Sequence, residues 1–152
     1  MPENSCYTYF AIKGEFNPDD ITRRIGLNPS KVWKKGDKSD NGTEYDFSYW
    51  EFGFCDEYDV VTEKQMQKTL EPLLSKTAIL NEIRKESDVV FVLEIVPTVY
   101  SENATPCLAP SMEVIDFCHE TRTEIDIDLY IAEKEWVFVS VLLHLQTYHF
   151  MI

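Results

Sequence analysis

Alternating and unbroken runs of apolar residues mark five stretches of the chain as strands. Residues 7–14 are rich in β-branched and aromatic side chains and end at a glycine, which predicts a first strand. A brief strand at residues 32–33 is predicted to pair with a long aromatic strand over residues 44–54. The nearly unbroken apolar run over residues 88–97 is typical of a central strand that is covered on both faces. Clean alternation over residues 124–131 predicts a last strand, whose inward side chains are Ile125, Ile127, Leu129 and Ile131.

Helix signals lie between these strands. Asn17 suits the N-cap of a short helix, Pro18 its first position and Gly26 its C-terminal stop. Ser111 predicts the start of a later helix in the same way. Each signal satisfies or removes a backbone group that a helix end leaves without a partner.

A longer region over residues 62–83 carries apolar residues at helical spacing. Thr62 and Gln65 fit a capping box at its start. Pro72 and Ser75 predict a division into two stacked helices, because proline interrupts the helical hydrogen bonds. The segment over residues 97–110 is predicted to be a loop.

The order of elements is strand, helix, hairpin, helix pair, strand, helix and strand. The hairpin requires antiparallel pairing, whereas helices between strands allow parallel pairing. The order therefore predicts an α+β fold, with a mixed, mostly antiparallel sheet and helices packed on one face. The length of 152 residues predicts one domain over residues 1–152. The apolar tail that begins at Trp136 is suited to add a final strand.

The acidic composition narrows the classes of partner. The chain carries 27 acidic and 14 basic side chains and a net charge of −13. Phosphate backbones and anionic lipid repel such a chain, so we expect neither a nucleic-acid partner nor a membrane partner. A basic protein is the partner that the charge favours. The alternative is that the charge serves only to keep a small domain soluble.

The N-terminal and cysteine patterns indicate a cytoplasmic protein. Residues 1–10 lack the basic and apolar regions of a signal peptide. The apolar run over residues 136–145 is too short to span a bilayer. The cysteines are scattered in or beside apolar segments, which favours reduced, buried side chains. They are Cys6, Cys55, Cys107 and Cys118.

Glu124, Asp126 and Asp128 form the first group of candidate binding residues. Side chains two residues apart on a strand project from one face about 7 Å apart. That separation allows two carboxylates to share a divalent ion or to divide acid and base roles. An exposed strand of any acidic protein shows the same pattern, so a solvated surface is the alternative reading.

Trp33, Lys34, Lys35 and Asp37 form the second group of candidates. Basic residues around an aromatic ring are able to hold a nucleic-acid strand, although the negative charge of the chain opposes this. The alternatives are a tryptophan that packs under lysine side chains and ion pairs between these lysines and nearby aspartates.

No pattern indicates a cofactor, a metal site or a catalytic residue. The three histidines lack the spacing of zinc ligands. Cys118 is predicted to lie on a buried helix face, where a thiol is a poor nucleophile. The five glycines are well separated and predict no phosphate-binding loop.

Several separated segments, taken in their order along the chain, form one pattern of aromatic, glycine and proline positions. They are Phe10-x-Ile12-x-Gly14, Phe16-x-Pro18-Asp19-x-Ile21-Thr22, Ile25-Gly26-Leu27-x-Pro29, Trp33-Lys34-Lys35-Gly36-Asp37 and Ile125-Asp126-Ile127-Asp128-Leu129-Tyr130. Together they resemble a bacterial family, the domain-of-unknown-function family numbered 4279, over about residues 5–131. The resemblance implies that family's fold and a bacterial origin, and it implies no chemistry. The tail over residues 132–152 extends past this family-like core.

Three hypotheses of function follow from the sequence. The favoured one is a non-enzymatic protein-binding module, such as an inhibitor or immunity protein for a basic partner. The second is a small metal-dependent or acid/base hydrolase that uses the acidic strand over residues 124–128, joined by Asp116 or Glu120. The third is a homo-oligomeric structural domain whose tail pairs with a second copy. The choice between monomer and homodimer stays open.

Overall fold

The computed structural model describes residues 3–54 and 59–133. These residues form a sheet and four helices, with the bounds β1 (Ser5–Gly14), α1 (Pro18–Ile25), β2 (Lys31–Trp33), β3 (Ser48–Gly53), α2 (Thr62–Leu74), α3 (Thr77–Glu86), β4 (Val89–Tyr100), α4 (Met112–Thr121), β5 (Glu124–Ile127) and β6 (Tyr130–Ala132). The predicted tail strand from Trp136 lies outside the described residues. No helix in the described part of the chain is both long and apolar enough to cross a membrane.

The strands form one mixed sheet in the order β2-β3-β1-β4-β5, and β6 pairs with β4 beyond the end of β5. The pairs β2/β3, β3/β1 and β1/β4 are antiparallel, whereas β5 and β6 run parallel to β4. Val32 pairs with Trp50, which confirms the predicted hairpin. The α+β fold with a mostly antiparallel sheet is confirmed.

The described helices all contribute to a core on one face of the sheet. Alternate strand residues point into this core and are fully buried: Phe10, Ile12, Trp50, Phe91 and Leu93. The helices complete it with Ile21, Ile25, Met66, Leu70, Leu73, Leu80, Ile83, Val114, Phe117 and Cys118. The predicted packing of helices on one face is therefore confirmed.

Both caps of α1 are confirmed. The Asn17 side chain accepts a hydrogen bond from the Asp19 backbone N–H at 3.1 Å. Gly26 adopts the left-handed conformation with φ 72°, and its N–H donates to the Thr22 carbonyl at 2.8 Å. The Trp50 indole N–H of β3 donates to the Thr22 hydroxyl at 3.0 Å, so α1 is tied to the sheet as well as capped.

The predicted capping box of α2 is wrong. Thr62 is the first helical residue, and Val61 occupies the N-cap position without a side-chain capping bond. The Thr62 hydroxyl donates instead to the Cys107 carbonyl of a distant segment. A tertiary contact thus takes the hydroxyl that the capping box requires. Cys107 itself is exposed, which corrects the expectation that it is buried.

The division into α2 and α3 is confirmed, but Pro72 does not mark the break. Pro72 lies inside α2, which continues to Leu74 and has Ser75 as its C-cap. Ser111 occupies the predicted N-cap position of α4, although its hydroxyl makes no capping hydrogen bond.

The aromatic strand is shorter than predicted, because it begins at Ser48 and not at residue 44. The residues before it close a loop on themselves. Gly36 N–H donates to the Tyr45 carbonyl at 2.8 Å, and Tyr45 N–H donates to the Asp37 carbonyl at 2.9 Å. These bonds close residues 36–45 into a loop, so their backbone does not join the sheet.

The strand and loop predictions around Pro97 also need correction. β4 continues through Pro97 to Tyr100 instead of ending in a loop. The last strand is divided into β5 and β6. Asp128 N–H donates to the Ile95 carbonyl at 2.9 Å, so alternate residues of β4 point toward the β5–β6 edge. Pro97 is the next residue with this direction, and the ladder breaks beside it because proline has no N–H.

The four side chains predicted to point inward from the last strand are exposed. Ile125 and Ile127 pair with core residues of β4, so they lie on the helix side of the sheet. They are nevertheless 39% and 43% exposed, and Leu129 and Ile131 are more exposed still. Among the described strands, β5 and β6 form an edge of the sheet, where the helices leave these four side chains exposed. Alternation indicated the correct side and the wrong degree of burial.

Candidate functional site

The face of the sheet opposite the helices presents several tyrosines, and we call it the tyrosine face. They include Tyr7 and Tyr9 of β1, Tyr49 of β3, Tyr100 of β4 and Tyr130 of β6. The cross-strand register places four residues of this face side by side, in the order Gly53, Tyr9, Glu94 and Asp126. Directly opposed residues have Cβ atoms about 5 Å apart. Tyr9 and Asp126 therefore flank Glu94.

Glu94 is a buried carboxylate at the centre of this row. It is 8% exposed, and this burial raises the pKa of its carboxyl group. The charges of Asp126, Asp128 and Glu51 raise the pKa further, while Lys13 opposes them. Within residues 3–54 and 59–133, no hydrogen-bond donor or ion-pair partner contacts the Glu94 carboxylate. Its oxygens still reach solvent, so burial makes the charge more costly without leaving the carboxylate wholly unhydrated.

Glu51 is also buried, at 7% exposure, but the chain supplies its carboxylate with donors. The Tyr49 hydroxyl donates to it at 2.7 Å, and the Ser30 hydroxyl donates at 3.2 Å. Burial and this bond to Glu51 raise the pKa of Tyr49, and burial and the nearby Glu94 raise the pKa of Tyr9. Both phenols therefore stay neutral and keep their hydroxyl protons for hydrogen bonds.

Carboxylates outnumber ammonium groups on the tyrosine face. Its carboxylates are Glu51, Glu94, Glu124 and Asp126, and its lysines are Lys13 and Lys31. Lys13 lies opposite Tyr49 and Val90 and forms no ion pair within the described residues. The face thus carries an excess of negative charge around its buried centre.

The predicted acidic strand extends this negative surface. Glu124, Asp126 and Asp128 are all exposed. Glu124 and Asp126 share the tyrosine face, and the Tyr130 hydroxyl donates to Asp128 at 2.7 Å. That bond to a carboxylate raises the pKa of Tyr130. The structure therefore brings the acidic strand beside Glu94.

Trp33 is the middle ring of an aromatic stack on the same face. Its ring centroid lies 4.5 Å from that of Tyr45 and 4.1 Å from that of Tyr49. Its indole N–H donates to the Phe47 carbonyl at 3.1 Å, and the Lys31 ammonium lies 5.4 Å from the ring centroid. Trp33 is therefore packed between tyrosines and beside a lysine, where it fixes the position of Tyr49.

Lys34, Lys35 and Asp37 lie in the turn that follows β2. The Lys34 N–H donates to the Asp37 carboxylate at 2.8 Å, and the Asp37 N–H donates to the Lys34 carbonyl at 2.9 Å. Lys35 forms an ion pair with Glu15, which lowers the pKa of that carboxyl group. The Lys34 backbone is thus part of a closed turn and the Lys35 ammonium is held in an ion pair, whereas the lysine that lies over the Trp33 ring is Lys31.

The hydrolase hypothesis requires Asp116 or Glu120 to meet the acidic strand in one pocket, and the structure does not bring them together. Asp116 and Glu120 lie on α4, where they line a groove with Leu74 and Thr77. That groove is on the helix side of the sheet, whereas Asp126 lies on the tyrosine face. The described part of the chain contains no group of three or more His, Cys, Asp or Glu residues that could hold a metal ion.

The cysteines that lie in the core have unreactive thiols. Cys118 is buried on α4, as predicted, and burial raises its thiol pKa to about 11. Burial raises the pKa of Cys6 to about 11 as well. A thiol with such a pKa is almost wholly protonated at neutral pH and is a weak nucleophile.

The sequence reasoning missed Glu51 and Glu94, the two buried carboxylates of the site. One signal for Glu94 was available, since it is the lone charged residue of the apolar run over residues 89–97. A charge in a strand that is covered on both faces needs a partner or a function. Glu51 gave no comparable signal, because an acidic residue in an alternating strand is ordinary.

Replacing Glu94 by glutamine is expected to increase the free energy of unfolding by about 1–2 kcal/mol near neutral pH, because burying a neutral amide costs less than burying an unpaired carboxylate. The folded-state pKa lies above the ordinary value of 4.5. The folded protein therefore binds the proton more tightly, and the wild type loses stability as pH rises from that value through the folded-state pKa. Urea unfolding measured across this pH range should show that E94Q is more stable than the wild type near neutral pH and that this difference disappears at acid pH.

The exposed Glu113 of α4 offers a matched control for this stability measurement. Glu113→Gln removes the same charge from a solvated position, so its effect should stay within about 0.5 kcal/mol. An E94Q variant that is less stable than the wild type at every pH would contradict the prediction.

Comparisons with known proteins identify a family. The family model described as Domain of unknown function (DUF4279) matches residues 4–132. The match runs from the start of β1 to the end of β6 and confirms the resemblance found in the sequence. No curated protein and no solved structure matched the chain.

Proposed function

The chain belongs to the DUF4279 family, whose description carries no activity, and from the chemistry of the tyrosine face we propose a non-enzymatic module that binds a basic protein. The observation that supports the proposal is the concentration of carboxylates on this face around the buried Glu94. Opposite charge accelerates encounter and selects the partner, while aromatic side chains provide contact area.

Inhibition is the form of binding that this surface suits best. A basic enzyme or toxin that acts on nucleic acid carries a positive cleft, and a negatively charged face that covers such a cleft excludes the anionic substrate. The proposal also places the domain in the cytoplasm, where the thiols of Cys6 and Cys118 stay reduced.

The test is capture of a basic protein from a cell lysate at low salt, followed by affinity measurement with charge variants. Replacing Asp126 and Asp128 together by asparagine should weaken the complex about tenfold, because two attractive charges are lost at the contact. The salt dependence of the remaining affinity should be flatter.

A pair of changes on α4 provides the matched control. Glu113→Gln with Asp116→Asn removes two negative charges from the helix side of the molecule. This variant should bind within about twofold of the wild type. Equal losses of affinity in both variants would show that net charge, and not the acidic strand, determines binding. The absence of any basic protein in the captured material would refute the proposed function.

A further inference from the structure

We propose that Glu94 is the anchor point for a single lysine or arginine side chain of the basic partner. The inference rests on the proposed function and deepens it, because it assigns one residue of the tyrosine face to one cationic group. It is distinct from general attraction by the exposed acidic strand.

The first argument is that the fold supplies hydrogen-bond donors to one of two buried carboxylates and not to the other. Glu51 and Glu94 are almost equally buried, at 7% and 8% exposure. Glu51 accepts hydrogen bonds from Tyr49 and Ser30. Nothing in the described part of the chain donates to Glu94. A cationic group from outside would replace the water that reaches these oxygens by charge-assisted hydrogen bonds, which are the strong ones.

The second argument is the shape and polarity of the surroundings. Along β4 on the same face, Glu94 is flanked by Val92 and Val96, which are 5% and 4% exposed. Across the sheet it is flanked by the Tyr9 ring and the Asp126 carboxylate. Lysine and arginine combine an apolar stem with a charged end. The two valines are almost wholly buried, so the partly exposed Tyr9 ring is the surface that suits the stem, and the two carboxylates suit the charged end.

The third argument is that the lysine whose charge acts on Glu94 does not form an ion pair with it. Among the described residues, Lys13 is the cation whose charge lowers the pKa of Glu94. It lies on β1 opposite Tyr49 and Val90, four residues away from Tyr9 along the strand. It makes no ion pair with Glu94. Lys13 therefore leaves the Glu94 carboxylate without an ion-pair partner from the described residues.

The experiment titrates the full chain with tetralysine and tetraarginine at low salt and follows backbone amide signals by NMR, with tetraglutamate as the control peptide. The largest shifts are expected at Tyr9, Glu94 and Asp126. E94Q should weaken binding of the preferred peptide about tenfold, because one charge-assisted contact is lost. Asp116→Asn on α4 should leave the affinity unchanged. E94Q is expected to be at least as stable as the wild type, so unfolding does not explain a loss.

Two results would overturn the inference: shifts of equal size at the α4 carboxylates, or unchanged affinity in E94Q. The comparison of the two peptides decides whether an ammonium or a guanidinium group is preferred. If the captured protein depends on Asp126 and Asp128 but not on Glu94, the proposed function stands and the anchor fails. If the peptides bind through Glu94 while no basic protein is captured, the cation site stands and the proposed function fails.

Discussion

Replacing Trp50 by alanine is expected to lower the free energy of unfolding by about 3–5 kcal/mol, because it empties the largest position of the core. Trp50 is fully buried on β3. Its ring lies 6.3 Å from that of Phe52, and its indole N–H donates to Thr22 of α1. The substitution therefore removes core volume and the bond that ties α1 to the sheet. The whole free energy of unfolding of a small domain is about 5–15 kcal/mol, so this loss is a large share of it.

Urea unfolding followed by circular dichroism measures this loss as a shift of the midpoint at constant slope. Trp50→Phe is the matched comparison, since it keeps an aromatic ring while it removes the hydrogen bond to Thr22. It should cost less than half as much as Trp50→Ala. A midpoint of the alanine variant within error of the wild type would contradict the burial on which the core assignment depends.

Local signals predicted those parts of the fold in which neighbouring residues decide the structure. Asn17 and Gly26 bound α1 as predicted, because their capping bonds join residues within the same helix. The β2–β3 hairpin was also predicted correctly. An aromatic strand of this composition buries one face most readily against a neighbouring strand.

Predictions failed where a distant segment or an edge decides the outcome. The Thr62 hydroxyl bonds to Cys107, 45 residues away, and no local pattern contains that contact. Ile125 and Ile127 alternate as core residues do, yet they are exposed, since β5 lies at the edge that the described strands form. Sequence periodicity gives the side of a strand on which a residue lies, and it does not give the cover above it.

The candidate site was predicted in part for the same reason. Asp126 was recognised because alternation on an exposed strand is a local feature. Glu94 and Tyr9 become neighbours of Asp126 only through the order of strands, in which β1 and β5 flank β4. Residues 9 and 126 are far apart in the chain, so a single sequence carries no signal that joins them. The chemistry of the site is a product of topology.

Replacing Gly53 by alanine is expected to lower the free energy of unfolding by about 2–3 kcal/mol, because it forces an additional carbon into a closed space. Gly53 lies directly opposite Tyr9 on the tyrosine face. An alanine Cβ there would lie 2.5 Å from the Tyr9 Cβ and 2.6 Å from the Thr8 carbonyl oxygen. Neither atom is the end of a flexible side chain, so β1 and β3 must separate.

The same change is expected to displace Tyr9 from Glu94 and so to weaken tetralysine binding by at least as much as E94Q does. Gly26→Ala is the control, since its Cβ meets no atom within 4 Å and only the left-handed backbone with φ 72° opposes it. That backbone term costs about 1 kcal/mol. Urea midpoints and the NMR titration should therefore rank Gly53→Ala below Gly26→Ala in both stability and affinity. If Gly53→Ala loses stability but binds tetralysine normally, Tyr9 does not position the cation at Glu94.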